Sequence, residues 1–219
     1  MAFFSRKTYP EEWENYLKSF SNKTKEFSEI RFVVFDTETT GLDTTKDRIL
    51  SIGAIGVTNK RICLDDIYEC FVKQELFSRD TVEIHGIRKS SENKTDEREA
   101  ILGFLKYVEN AVIIGHHIGF DIAMINAGLE RLGFPKLKNT VIDTGSLHLK
   151  TFVDLPRKQH FSLDELSFEY SIPMHDRHNS SGDAYITAQL FIKILKKLEK
   201  KNPLGISFLK RSAKRTGLL

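Results

Sequence analysis

The sequence predicts an α/β fold, a mixed sheet with helices on its faces, and three observations carry that expectation. Runs of β-branched and aromatic residues such as Arg31-Phe32-Val33-Val34-Phe35 suit buried strands. Two further strand-like runs are joined only by Thr58-Asn59-Lys60, a connection short enough to make them antiparallel neighbours. From residue 95 onward helical and strand patterns alternate, the order that lays helices over a sheet.

Taken in order, residues 10–20 begin with Pro10 and acids and set Trp13, Tyr16, Leu17 and Phe20 at helical spacing, which predicts a short amphipathic helix packed on the body. Residues 21–28 are polar and read as a linker. The apolar pattern of the first strand breaks after Phe35, Gly41 allows a sharp turn, and residues 43–47 form a charged loop. Strands follow at 49–57 and 61–72, then a loop-like stretch at 78–94 with Ile84-His85-Gly86-Ile87 embedded in it. Residues 95–110 predict a helix with Ala100, Ile101, Phe104, Leu105 and Val108 on one side. A short buried strand at 111–114 leads into a helix from Asp121 to Leu132 that turns Ile122, Ile125, Leu129 and Leu132 inward. Val141-Ile142-Asp143 is one more strand end. Helical pieces follow at 144–150 and 162–170, the second with Ser162 and Glu165 spaced as a capping box. The last helix spans 182–200 with Ile186, Leu190, Ile194 and Leu198 on one stripe; Asn202-Pro203 stops it, and the final residues read as loosely held. The expected division is an N-terminal helical extension (1–29), one domain (30–200) and a basic C-terminal tail (201–219).

A chain of 219 residues with 40% hydrophobic content is enough to bury one substantial core. Its net charge of +3 is unevenly laid out, because the segment from Lys193 onward carries nine Lys or Arg against Glu199 alone, leaving −5 on the rest. An acidic body fits a cation site and a basic end can meet a polyanion, although a solvated helix face and a tail explain that end equally well. Cys63 and Cys70 form no CxxC pair and read as reduced thiols of a cytoplasmic protein. No apolar run reaches the ~18 residues of a membrane span.

Four carboxylates stand at element ends. Asp36 and Glu38 are two apart on an extended chain, so they share a face with a spacing of roughly 6.6 Å. Two anions so placed call for a positive charge between them, and a hard divalent cation with oxygen ligands supplies it. Asp121 follows a buried strand and a Gly-containing turn. Asp183 lies on the apolar stripe of the last helix, where an unpaired carboxylate is costly. Any one of these acids alone reads equally well as a helix cap or turn residue; together they match the ligand supply of a two-metal phosphodiesterase, whose ions lie ~4 Å apart. His178, five residues before Asp183 in a Gly- and Ser-containing loop, is a candidate general base.

On these residues the chain resembles the DEDDh, DnaQ-like 3′ to 5′ exonucleases, the family of the proofreading epsilon subunit of bacterial DNA polymerase III. Asp36-Thr37-Glu38-Thr39-Thr40-Gly41 is similar to the family's first motif, residues 116–121 to its second and residues 178–183 to its third. Ile84-His85-Gly86-Ile87, residues 141–144 and residues 161–166 resemble the linking pieces. The likeness spans about residues 30–198 and implies a ribonuclease-H-like fold with a mixed five-stranded sheet. It further implies that Asp36, Glu38, Asp121 and Asp183 hold two Mg²⁺ or Mn²⁺ ions and that His178 activates the attacking water. Thr37, Thr39, Leu42, His85 and Phe120 are then expected to contact the terminal nucleotide, with Leu42 and Phe120 suited to stacking on bases. Position 179 is Asn, so the sister branch with tyrosine there is excluded; His117 departs from the family's usual Asn.

The implied activity is hydrolysis of the 3′-terminal phosphodiester at single-stranded or frayed 3′ ends of DNA, releasing nucleoside 5′-monophosphates, with a DNA polymerase as a conceivable partner. The same chemistry on RNA, as in RNase T or oligoribonuclease relatives, is the main alternative, because carboxylates do not distinguish the sugars. A non-catalytic module of the same fold would have shed one of the five key residues, and all five are present.

Overall fold

The computed structural model describes residues 9–21, 26–75, 94–154 and 158–211. In chain order its elements are α1 (Glu11–Ser19), β1 (Arg31–Thr39), β2 (Ile49–Thr58), β3 (Arg61–Phe71), α2 (Glu97–Val108), β4 (Val112–Gly115), α3 (Gly119–Arg131), β5 (Val141–Asp143), α4 (Thr144–Leu149), α5 (Leu163–Glu169), α6 (Ser180–Glu199) and α7 (Ile206–Lys210). The strands form one five-stranded sheet in the order β3-β2-β1-β4-β5. β2 runs antiparallel to both β1 and β3, whereas β4 and β5 run parallel to β1. The mixed sheet and flanking helices match the ribonuclease-H-like architecture expected from the sequence.

The alternation of β1 divides the core in two. Val33 and Phe35 face one layer, filled by Trp13 and Tyr16 of α1, Phe104 and Leu105 of α2, and Met124 and Leu129 of α3. Phe32 and Val34 face the other, built from Leu147, Leu166 and the α6 stripe Ile186, Leu190, Ile194 and Leu198. The central strand is thus buried on both faces, which explains its continuous apolar run. The hairpin between β2 and β3 turns at Asn59 and Lys60, with φ of 50° and 57°, the left-handed pair that matches the twist of the strands.

α1 is tied into the first layer. Trp13 and Tyr16 are almost fully buried, and the Tyr16 hydroxyl donates to Asn139 Oδ1 at 2.7 Å while accepting from the Lys138 N–H at 2.7 Å. Each buried ring contributes about 1.5–3 kcal/mol of transfer free energy, enough to hold a nine-residue helix that would not persist alone.

Four local expectations need correction. The linker at 21–28 contains a 3₁₀ turn over Phe27–Glu29. β1 runs on past Phe35 and stays paired with β2 through Thr39: Asp36, Thr37 and Glu38 keep register with Gly53, Ile52 and Ser51, and the register shifts only between Glu38 and Thr39. α3 begins at Gly119, two residues early, and buries Met124 and Gly128 beside Ile125 and Leu129, while Ile122 and Leu132 lie at its margin. Residues 204–210 are not a loose end: Leu204, Ile206, Phe208 and Leu209 pack on the second layer. Lys150 Nζ donates to the carbonyls of Phe208 and Leu209, both at 2.6 Å, and anchors α7 there. The Ile84-His85-Gly86-Ile87 stretch lies outside the described residues. No helix among the described residues is long and apolar enough to cross a membrane.

Candidate active site

The carboxylates gather where β1 outlasts its parallel neighbour. β4 pairs with β1 only from Phe32 to Val34, so beyond that point the β4-facing edge of β1 is open. The N-terminal turn of α3 fills the gap. Asp121, 5% exposed, accepts from the backbone N–H of Thr37 at 3.0 Å and from its hydroxyl at 2.7 Å. An otherwise unpaired strand N–H is thereby satisfied by a side chain.

Asp36 and Glu38 project to the opposite face from Thr37, toward α6. α6 approaches closely because Gly53 of β2 has no side chain: a Cβ there would stand 2.2 Å from the backbone nitrogen of Ser181. Ser51 and Ser180 hydroxyls share a buried hydrogen bond of 2.9 Å at the same contact. Asn179 caps the helix, its side chain accepting from the N–H groups of Ser181 and Gly182. Asp183, in the first turn, then reaches the β1 acids. Oxygen atoms of Asp36, Glu38 and Asp183 lie within 4.8 Å of one another.

Burial and mutual repulsion show in the acidities. Asp36 is pushed well above the ordinary carboxylate range by desolvation, then by the charges of Asp121, Asp183 and Glu38. Glu38 is raised to about 7, again by burial first and then by Asp183 and Asp121. Asp121 also rises to about 7 through desolvation, opposed by the two Thr37 hydrogen bonds. Asp183 is 7% exposed, and its Oδ1 has no hydrogen-bond partner among the described residues. A buried, unpartnered carboxylate oxygen facing two further carboxylates is a donor set for a hard divalent cation.

One cation intrudes that the sequence reading did not single out. Arg177 Nε donates to Asp164 Oδ1 of α5 at 2.6 Å and Nη1 to Asp183 Oδ2. Its position beside His178, in the loop that delivers Asp183, was the available signal. The loop is tightly folded: Asp176 and His178 have φ of 55° and 62°. A Cβ on Gly182 would sit 2.1 Å from the Asp176 carbonyl oxygen, so only glycine fits. His178 is exposed on this loop and lies outside the three-acid group.

The remaining candidates take different places. Thr37 is spent on Asp121, and the Thr39 hydroxyl donates to the Gly41 carbonyl at 2.8 Å. Leu42 is 84% exposed, and Phe120 packs partly against the first core layer at the start of α3. His85 lies outside the described residues. His116 accepts from Thr144 Oγ1 at 2.9 Å through Nδ1 and donates from Nε2 to the Phe161 carbonyl at 2.8 Å, a neutral tautomer assigned by its partners. Desolvation first, then His117, lowers its pKa to about 4. Two clefts flank the start of α3. One, of about 590 Å³, runs past Thr45, Arg48, Gly119 and Lys136; the other, of about 670 Å³, past His117, Phe161, Lys210 and Arg211. Both carry cations suited to a phosphate backbone.

A ribonuclease-H-like sheet with acids at the end of its central strand defines the metal-dependent nuclease class. Residues 33–191 match the RNase_T exonuclease family model, and the chain belongs to that family, the DnaQ-like 3′ to 5′ exonucleases. The DNA polymerase III PolC-type of Caldanaerobacter subterraneus subsp. tengcongensis is 35% identical over 170 residues, 77% of this chain. The match covers only 12% of that polymerase, so this chain spans about an eighth of its length. Among solved structures, E. coli Exonuclease I in complex with a dT13 oligonucleotide has a TM-score of 0.64 at 18% identity, over 79% of this chain and 41% of that one. A zinc-bound Exonuclease I complex with single-stranded DNA aligns with a TM-score of 0.65 at 17% identity, over 79% and 42%. These two likenesses speak for the fold.

Proposed function

We propose that the chain removes single nucleotides from the 3′ ends of single-stranded or frayed DNA, releasing nucleoside 5′-monophosphates. The observation that carries this reading is the convergence of Asp36, Glu38 and Asp183 within 4.8 Å, with Asp121 held beside them by Thr37. These four residues are the assigned holders of two divalent ions, Mg²⁺ or Mn²⁺, which when bound supply positive charge at the scissile phosphate and acidify the attacking water.

The protein's own groups do the rest. His178 accepts the proton that water loses on attacking phosphorus, while the 3′ oxygen of the penultimate nucleotide leaves and takes a proton from solvent. His178 stands in solvent, where it can discharge that proton. Exposed Leu42 and the partly buried Phe120 are the apolar surfaces assigned to the terminal base, and Thr39 and His85 are assigned to its sugar and phosphate. Thr37 acts one step removed, by fixing Asp121.

The similarity to a segment of a replicative polymerase supports DNA as substrate and proofreading of polymerase-made 3′ ends as the setting. The reduced Cys63 and Cys70 fit work in the cytoplasm. A digestion panel of single-stranded DNA, mismatched primer-template and short RNA, with and without Mg²⁺, tests the proposal. The expected result is metal-dependent release of 5′-mononucleotides, faster from mismatched than from matched ends. Preferential digestion of RNA would move the assignment to RNA processing, and no digestion of any substrate would overturn it.

A further inference from the structure

The unexplained feature of the site is a guanidinium, that of Arg177, bound to one of the three clustered acids. Arg177 is shared between two acids of different standing. Asp183 belongs to the buried group, whereas Asp164, on α5, is half-exposed and belongs to no metal set. The Arg177 charge also pulls against the upward pKa shifts of Asp36 and Glu38, so it reaches both β1 acids. Only Asp183 Oδ2 is engaged; Oδ1 stays buried and unpartnered, so Arg177 covers part of the anionic charge and leaves a donor atom free.

We propose that Arg177 is a resident counter-ion of the metal-free site, which a divalent ion must displace from Asp183 and which Asp164 then retains. This rests on the metal-dependent reading above and adds a residue that sets how tightly the ion is held. A fork-shaped guanidinium can release one carboxylate and keep the other, since its Nε and Nη1 donors address them separately. Asp164 is in effect the place to which the charge retreats. Arg177 is therefore a positioning residue, acting through Asp183.

The two partners of Arg177 make opposite predictions, which a merely structural role would not. Mn²⁺ binding to the full-length protein without substrate, followed by calorimetry or by the spin resonance of free Mn²⁺, reads the effect directly. Arg177→Met removes the competitor and is expected to tighten Mn²⁺ binding about tenfold or more. Asp164→Asn removes the retreat, leaves Arg177 committed to the acids and is expected to weaken binding by a similar factor. Arg177→Lys, which keeps the charge without the fork, is expected to fall between wild type and Arg177→Met and guards against a folding defect in the latter. Unchanged or weaker Mn²⁺ binding by folded Arg177→Met and Arg177→Lys overturns the proposal, as does a shift of Arg177→Met and Asp164→Asn in the same direction. Failure of wild type and all variants to bind Mn²⁺ would instead remove the metal site, and with it the functional reading beneath.

Discussion

The two ends of β1 treat charge in opposite ways. At its start Arg31 holds Asp66 through a bidentate contact, Nε and Nη2 each at 2.7 Å, and the guanidinium keeps the Asp66 carboxyl below the usual carboxylate range. Arg31 also donates to the Tyr107 carbonyl and lies 4.7 Å from the centre of that ring. One cation meets one anion, and all three guanidinium nitrogens donate. At the far end four carboxylates meet one guanidinium, and three of them are pushed up in pKa. The first end stabilises the fold at working pH, whereas the second stores repulsion that protons or cations relieve. Binding chemistry is found where charge is left unbalanced inside the protein.

The sharpest way to break this contrast is to remove one of the crowded acids. Asp36→Asn is expected to lower exonuclease turnover by about 10³-fold or more, while the metal-free protein melts no lower than wild type because repulsion is relieved. A clear loss of stability in that variant would mean that Asp36 is structural.

The next effect is a dependence on pH. Glu38 and Asp121 are raised to about 7 from ordinary values near 4, so the metal-free fold keeps protons that the unfolded chain has released. Their contribution to stability is full below about 4 and is lost as pH rises through about 7. His116, lowered to about 4, works in the opposite direction over much of this interval, so the informative quantity is the shift produced by metal. Saturating Mg²⁺ is expected to raise Tm by about 5–10 °C at pH 8 and by clearly less at pH 5. Equal shifts at both values would show that these acids are not what the ion relieves.

The smallest effect belongs to the balanced end. Asp66→Ala leaves Arg31 partly buried without its partner, which costs about 1–3 kcal/mol and lowers Tm by about 2–12 °C. Turnover is expected to remain at the wild-type level when assayed below the new melting range. A matching loss of activity would tie the two ends together and dissolve the contrast.

Much of this was legible before any coordinates. The apolar face of α2, residues Ala100, Ile101, Phe104, Leu105 and Val108, is the buried set in the structure. Period-two spacing put Asp36 and Glu38 on one face, and Asp183 betrayed itself by lying on the stripe of Ile186 and Leu190. The misses share a cause, namely dependence on contacts distant in sequence. The true end of β1 is decided by pairing with β2, which a polar sequence conceals. α7 is five residues long, follows Pro203 and is held by Lys150, some 58 positions away, so nothing in its own composition announces it. Arg177 reads as an ordinary loop cation until α5 brings Asp164 beneath it.

The alternation of β1 makes the catalytic end intolerant of insertions and deletions in a way that its chemistry alone does not suggest. Asp36 and Glu38 look toward α6 and Thr37 toward α3, so inserting one residue between Phe35 and Asp36, or deleting Phe35, would exchange the two outlooks. Asp121 would then confront a carboxylate where it now has a hydroxyl, and Asp183 would lose both its companions. An inserted residue in a loop outside this strand leaves those outlooks unchanged, whereas one within it ahead of Asp36 reverses them.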